Sequence, residues 1–239
     1  MSGYAGLRIA ARDLFRIHLS PDQLSAFERY ADELIHWNER FNLTAINDPI
    51  NIEIKHFLDS MTCYLVLSAS KSERVIDVGT GAGFPGLPLK IINPQLKLSL
   101  IESIGKKVEF CRHMIEILNL NGVELIHNRV ENVGHKDEHR QVYDWAVARA
   151  VAAMPVLVEF LLPLLRVGGK AVLLKGETGP AEAHAAEEAL RILGGKLEQI
   201  IPVELPRVVE SRYLIVVEKY AATPHKYPRR VGIPAKRPL

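Results

Sequence analysis

VIDVGTGAGFPG, residues 75–86, decides the fold. An apolar, β-branched run stops at Gly79, Gly81 and Gly83, and an apolar stretch of helical spacing opens at Leu87. Glycines at such a junction permit a tight turn and let a ligand approach the backbone. Outward from the loop, strand-like runs recur at Arg74–Val78, Leu96–Ile101, Val123–His127, Trp145–Ala148, Lys170–Lys175, Leu197–Val203 and Tyr213–Glu218. Helical patterns fill gaps at Leu87–Ile92, Lys106–Leu120, Met154–Leu165 and Ala181–Leu193. The alternation predicts an α/β, Rossmann-like fold with helices on both faces of a largely parallel sheet. The last two runs have no helix between them, so they are expected to pair as a hairpin, giving a mixed seven-stranded sheet. Ligands of such sheets bind beyond the carboxyl ends of the strands, at the switch point.

Two nucleoside cofactors compete for the loop. A dinucleotide fingerprint, Gly-x-Gly-x-x-Gly, fails from Gly79 because its third position is Phe84. It matches from Gly81 through Gly83 and Gly86, but begins too far past the strand. Asp77 precedes Gly79, giving Asp-x-Gly-x-Gly-x-Gly, which resembles the first motif of S-adenosylmethionine-dependent methyltransferases. A carboxylate there can hold the cationic amino end of that cofactor, directly or through water, and would repel a pyrophosphate. Glu102 ends the second strand, where a carboxylate can accept from ribose hydroxyls. The same acid can instead stabilise the start of the next helix. Val130 and Glu131 follow the third strand, at the expected adenine edge.

Toward the N-terminus the chain reads as a helical preface. Ser20 and Gln23 form a capping box around Pro21, and Leu24, Phe27, Ala31, Leu34 and Ile35 follow at helical spacing. An earlier helix is expected to carry Leu7, Ala11, Leu14 and His18 on one stripe, and a later one to run through NIEIKHFLDSMTCYLVL. Toward the C-terminus, charge is uneven. The 239 residues carry 30 Lys and Arg against 28 Asp and Glu, a net +2 that excludes a simple polycation. Lys219–Leu239 nevertheless holds six basic residues and no acid, with Pro224, Pro228, Pro234 and Pro238. Prolines at that density predict an extended, non-helical tail suited to an anionic partner; the plainer reading is a solvated, frayed end.

Absent groups narrow the chemistry. Cys63 lies in the preface and Cys111 mid-helix, so neither is placed as a nucleophile for methylating a pyrimidine carbon. The turn after the fourth strand reads ARAVAAMP and lacks the Asn/Asp-Pro-Pro-aromatic pattern used on exocyclic amines. The histidines show no close metal-ligand pair, and His56 reads as a satisfied structural histidine; no metal is expected. A ring nitrogen such as guanine N7 needs no base, because its lone pair is already nucleophilic. Catalysis is then mainly orientation, worth up to about 7–11 kcal/mol.

Taken together, FNLTAINDP, KHFLDS, VIDVGTGAGFPGLPL, ESIGKKVEF, HNRVE, ARAVA, LPLLRVGGK and YPRRVGIPAKRPL resemble the RsmG (GidB) family of bacterial small-subunit ribosomal RNA guanine-N7 methyltransferases over nearly the whole chain. The resemblance implies a class I S-adenosylmethionine-dependent methyltransferase fold with an N-terminal helical extension at 1–69, a catalytic domain at 70–219 and a basic tail at 220–239. It implies a cofactor site at Gly79, Gly81, Gly83, Phe84, Glu102, Ser103, Ile104, Val130, Glu131 and Arg149, with Glu102 standing where the family more often has Asp. Arg149 and Lys106 are the implied orienting or electrostatic residues, with no acid, base or nucleophile; Lys106, Arg212, Arg229 and Arg230 are the implied RNA contacts. The implied substrate is one guanine in the decoding-region loop of 16S rRNA, in the small subunit or its precursor, and Arg8, Arg12 and Arg16 are further phosphate candidates. A small-molecule methyltransferase, a non-catalytic RNA-binding assembly protein and a nicotinamide oxidoreductase are the alternatives. With no apolar run near the length of a membrane span, no signal peptide and no unpaired heptad, a cytoplasmic monomer is expected.

Overall fold

The computed structural model describes residues 4–67 and 73–239. Its centre is a seven-stranded sheet in the order β3-β2-β1-β4-β5-β7-β6. The strands are β1 (Arg74–Val78), β2 (Lys97–Glu102), β3 (Val123–His127), β4 (Tyr143–Arg149), β5 (Leu165–Lys175), β6 (Gly195–Val203) and β7 (Arg212–Lys219). The first five pair in parallel, and β7 is antiparallel to both β5 and β6. The chain leaves β1 first to one side and later to the other, so the switch point lies between β1 and β4.

The side-chain period of two separates two cores. Val75, Leu98, Leu100, Val147 and Val172 face one layer, whereas Ile76, Val78, Ala146, Ala148 and Leu173 face the other. The second layer contains α8 (Met154–Leu161), α9 (Gly179–Ala185) and α10 (Glu187–Leu193). The expected helix over 181–193 is therefore two, broken at Ala186, and the expected helix from Met154 ends four residues early because the chain enters β5 at Leu165.

The preface packs on the first face and shares its core. It comprises α1 (Ala5–Phe15), α2 (Pro21–Phe41), α3 (Pro49–Ile52), a π-helical turn at Glu53–Leu58, α4 (Asp59–Met61) and a 3-10 turn at Thr62–Leu65. On α1, Leu7 and Ala11 are buried as expected, but Leu14 is exposed and His18 lies beyond the helix. Ser20 and Gln23 form the capping box of α2, and Gln23 Nε2 also donates to the Ile91 and Ile92 carbonyls. One residue thus caps its helix and docks it on α5 (Gly86–Ile92). Phe27, Leu34, Phe57 and Met61 are fully buried against this face, each worth about 1.5–3 kcal/mol of transfer free energy. The remaining helices are α6 (Gly105–Ile117), α7 (Val130–Val133) and α11 (Ile233–Lys236). The last corrects the expectation of a helix-free tail: Pro234 occupies the first turn, where its missing N–H costs no hydrogen bond.

Candidate functional site

The glycine loop is built as a tight arch over the end of β1. Gly79, Gly81 and Gly83 have φ of 68°, 62° and 93°. The Gly79 and Thr80 amides extend the β1–β2 ladder by donating to the Ile101 carbonyl, and Gly83 and Phe84 N–H turn back onto Thr80 O. Asp77 tightens the arch from below. Its Oδ2 accepts from Thr80 Oγ1 at 2.6 Å and from Gly86 N–H at 2.8 Å. Asp77 is fully buried on the preface side, and burial pushes its pKa up to about 6. Asp77 thus braces the underside of the loop through Oδ2, while its buried Oδ1 has no hydrogen-bond partner.

Beyond the carboxyl ends of β1 to β4 lies a cleft of about 280 Å³. Gly79, Glu102, Ser103, Val130 and Glu131 line it, all anticipated from the sequence. Glu102 is buried, with Oε1 accepting from Ser103 and Ile104 N–H at 2.7 and 2.8 Å and Oε2 from Gly81 N–H at 3.0 Å. It thus serves the start of α6, as the plainer reading held, while still bordering the cleft. Three amides use three of about four acceptor sites on a carboxylate, so one remains for a further donor. Glycine is required at position 79, because a Cβ would lie 2.7 Å from Val151 Cγ2. Val151 and Ala152, just after β4, also line the cleft. The sequence marked their turn only by what it lacked.

Phe84 and Arg149 lie elsewhere, at the junction with the preface. Phe84 is stacked between Tyr30 and His56, with ring centroids at 5.2 and 4.4 Å. The Arg149 guanidinium sits 5.0 Å over the same ring. Arg149 Nη1 donates to Lys55 O at 2.9 Å and to Asp59 Oδ2 at 2.8 Å, and Nη2 donates to His56 Nδ1 at 3.1 Å. Because an arginine only donates, His56 Nδ1 accepts and its Nε2–H faces Thr44 Oγ1 at 3.0 Å. Burial, reinforced by Arg149, pushes the His56 pKa down to about 3. His56 is the satisfied, neutral histidine the sequence suggested. Arg212 joins the cluster with Nη1 4.0 Å from Asp59 Oδ1. Tyr30, whose hydroxyl donates to Ala82 O at 2.6 Å, was not singled out beforehand: only its apolar neighbours revealed the helix face.

The basic residues divide. Lys106 and Arg230 are exposed. Arg229 is not a free cation: its backbone N–H and guanidinium bind the fully buried Glu159, with Nη2–Oε2 at 2.6 Å. Lys219 is fully buried, donating to the Leu162 and Leu165 carbonyls at 2.7 Å each, and desolvation lowers its pKa to about 7. The C-terminal stretch is therefore a folded part of the molecule. It reaches the cleft, where Val231, Gly232 and Ala235 form one side and Gly232 N–H donates to Glu131 Oε1 at 3.0 Å. Cys63 and Cys111 are buried with thiol pKa values pushed up by desolvation, unsuited to nucleophilic work. Among the described residues no helix is long and apolar enough to cross a membrane.

Comparison with known proteins agrees with this geometry. Among solved structures, a SAM-dependent methyltransferase from Aquifex aeolicus matches 74% of this chain and 96% of its own, with 16% identity and a TM-score of 0.54. MtNAS in complex with MTA and tNA matches 82% of this chain and 71% of its own, with 15% identity and a TM-score of 0.55. These likenesses establish the fold. Relatives named ribosomal RNA small subunit methyltransferase G are closer in sequence. The protein of Chloroflexus aggregans is 47% identical over 98% of this chain and 97% of its own length. That of Desulforamulus reducens is 42% identical over 98% and 97%. Residues 23–209 match the family described as GidB, rRNA small subunit methyltransferase G, and the chain belongs to that family.

Proposed function

We propose that this chain transfers a methyl group from S-adenosylmethionine to N7 of one guanine in the decoding-region loop of 16S rRNA, in the small subunit or its precursor. The observation that carries the reading is the cleft at three successive strand ends, lined by Gly79, Glu102 and Glu131, in a chain of this family. The cleft suits the cofactor. Glu102 retains acceptor capacity for a ribose hydroxyl, and Val130 with Glu131 offers an apolar wall and an acceptor for a purine amino group. Gly79 borders the cleft with backbone alone, packed on its other side by Val151. Ser103 and Ile104 contribute backbone at the ribose end. When bound, the cofactor supplies an electrophilic methyl on a sulfonium.

The chain's own residues then need only hold the acceptor in line. Neither His56 nor Asp77 is available as a base, the first satisfied on both nitrogens and the second buried under the loop. A guanine N7 requires none, so orientation carries the rate. Arg149 and Phe84 act by fixing the β4 end and the glycine loop against the preface. Lys106 and Arg212 are the phosphate contacts of this reading; Arg229 is spent on Glu159. The protein works as a cytoplasmic monomer.

The test is transfer from labelled S-adenosylmethionine to small subunits lacking the modification, followed by mapping of the product. A single N7-methylguanine in the decoding-region loop is expected. Methylation of another atom, or no transfer to the subunit or its precursors despite cofactor binding, would overturn the reading.

A further inference from the structure

The C-terminal segment is fastened at several independent points, all on the face of the sheet that α8 covers. Arg140 gathers four carbonyls, donating from Nη1 to Gly134 O and Tyr227 O at 2.7 and 2.8 Å and from Nη2 to Thr223 O and Pro224 O at 2.9 and 3.2 Å. His135 Nε2 lies 2.6 Å from Pro228 O, and since a carbonyl only accepts, that nitrogen donates. Pro228 rests so close to Gly134 that a Cβ there would fall 2.8 Å from it. Glu159, with no exposed surface, pairs with both the backbone N–H and the side chain of Arg229. A buried carboxylate needs such a partner, so losing Arg229 leaves an uncompensated charge. Beyond these anchors Gly232 N–H meets Glu131, and Val231 and Ala235 face the cleft.

We propose that Arg229–Lys236 is the outer wall of the nucleoside subsite, and that it sets affinity for the cofactor and is not an arm for rRNA. The Arg229–Glu159 pair positions the wall. The Gly232 amide fixes one oxygen of Glu131 and so aims the other at the purine edge, while Val231 and Ala235 cover the ring. The proposal rests on the cofactor reading above. It accounts for a conflict within the tail: the segment is rich in positive charge, yet its innermost charge, Arg229, faces a carboxylate.

The experiment titrates S-adenosylhomocysteine by calorimetry into the full chain, a chain ending at Arg229, and Ala235→Trp. Small-subunit affinity is measured in parallel. Ala235 is exposed, so its replacement leaves the fold intact even where the shortened chain unfolds. Both variants are expected to lose roughly tenfold or more in nucleoside affinity, about 1.4 kcal/mol or more, with subunit affinity within about twofold of the full chain. Unchanged nucleoside affinity in Ala235→Trp, or a loss confined to subunit binding in the shortened chain, overturns the proposal. No binding to the full chain would sink the cofactor reading itself, and is distinguishable because no variant is needed to see it.

Discussion

Gly83→Ala is the sharpest probe of how the preface supports the loop. Gly83 has φ of 93°, outside the left-handed well that other residues visit, so an alanine there costs about 1–2 kcal/mol in backbone strain. Its Cβ would collide with Tyr30 Oη and lie 2.5 Å from Leu87 Cδ1. Neither neighbour can yield freely, since Tyr30 is fully buried and stacked on Phe84. Overpacking of this kind costs about 1–3 kcal/mol. Pushing the phenol aside also breaks its bond to Ala82 O and strands a buried donor and acceptor, about 1–3 kcal/mol more. The sum, about 3–8 kcal/mol, is a large share of the roughly 5–15 kcal/mol that holds a domain together. The control is Gly81→Ala, whose Cβ meets nothing closer than 4.0 Å and carries only the backbone strain. Thermal unfolding followed by circular dichroism should fall by upward of about 10 °C for Gly83→Ala and by a few degrees for Gly81→Ala. Equal shifts in the two variants would refute the claim that Tyr30 and the loop are packed as one unit.

Arg149→Met should destabilise by up to about 3–5 kcal/mol in a denaturant titration, because it leaves the buried Asp59 with only the more distant Arg212; pairing it with Asp59→Leu should recover part of that loss. Lys219 supplies a pH signature. Its pKa falls from 10.5 unfolded to about 7 folded, so between these values the unfolded chain binds more protons. Stability should therefore rise with pH across that window, by at most about 1.4 kcal/mol per unit for one proton. In Lys219→Met that component of the slope should vanish; an identical slope in both proteins would show that Lys219 does not titrate there.

Some of this architecture was legible because the signal was local. The β1 and β3 runs coincide with the observed strands, since both are short apolar stretches bounded by polar or glycine breakers. The hairpin pairing of β6 and β7 followed from the missing helix between them. Gly79, Glu102 and Glu131 fell in the cleft because strand ends place them there whatever else surrounds the sheet. What depended on distant partners stayed hidden. Nothing in the sequence marked the contacts of Arg149 and Phe84 with Lys55, His56, Asp59 and Tyr30, far away in sequence. The sequence spacing placed Asp77 at the loop without showing that Thr80 and Gly86 take up one of its oxygens. The tail misled most. Proline count predicted an extended chain, while Glu159 and Arg140, scores of residues upstream, hold it folded.

Both ends of the chain finish on the catalytic sheet, but on opposite faces. The preface closes one core through Phe27 and Phe57; Tyr227 and Leu239 close the other. A purification handle fused after Leu239 sits on that same flank, a few residues from Ala235, whereas one at the N-terminus adjoins α1 on the far layer. Protein meant for ligand measurements should carry the handle at the N-terminus, since a handle after Leu239 would itself perturb the pocket.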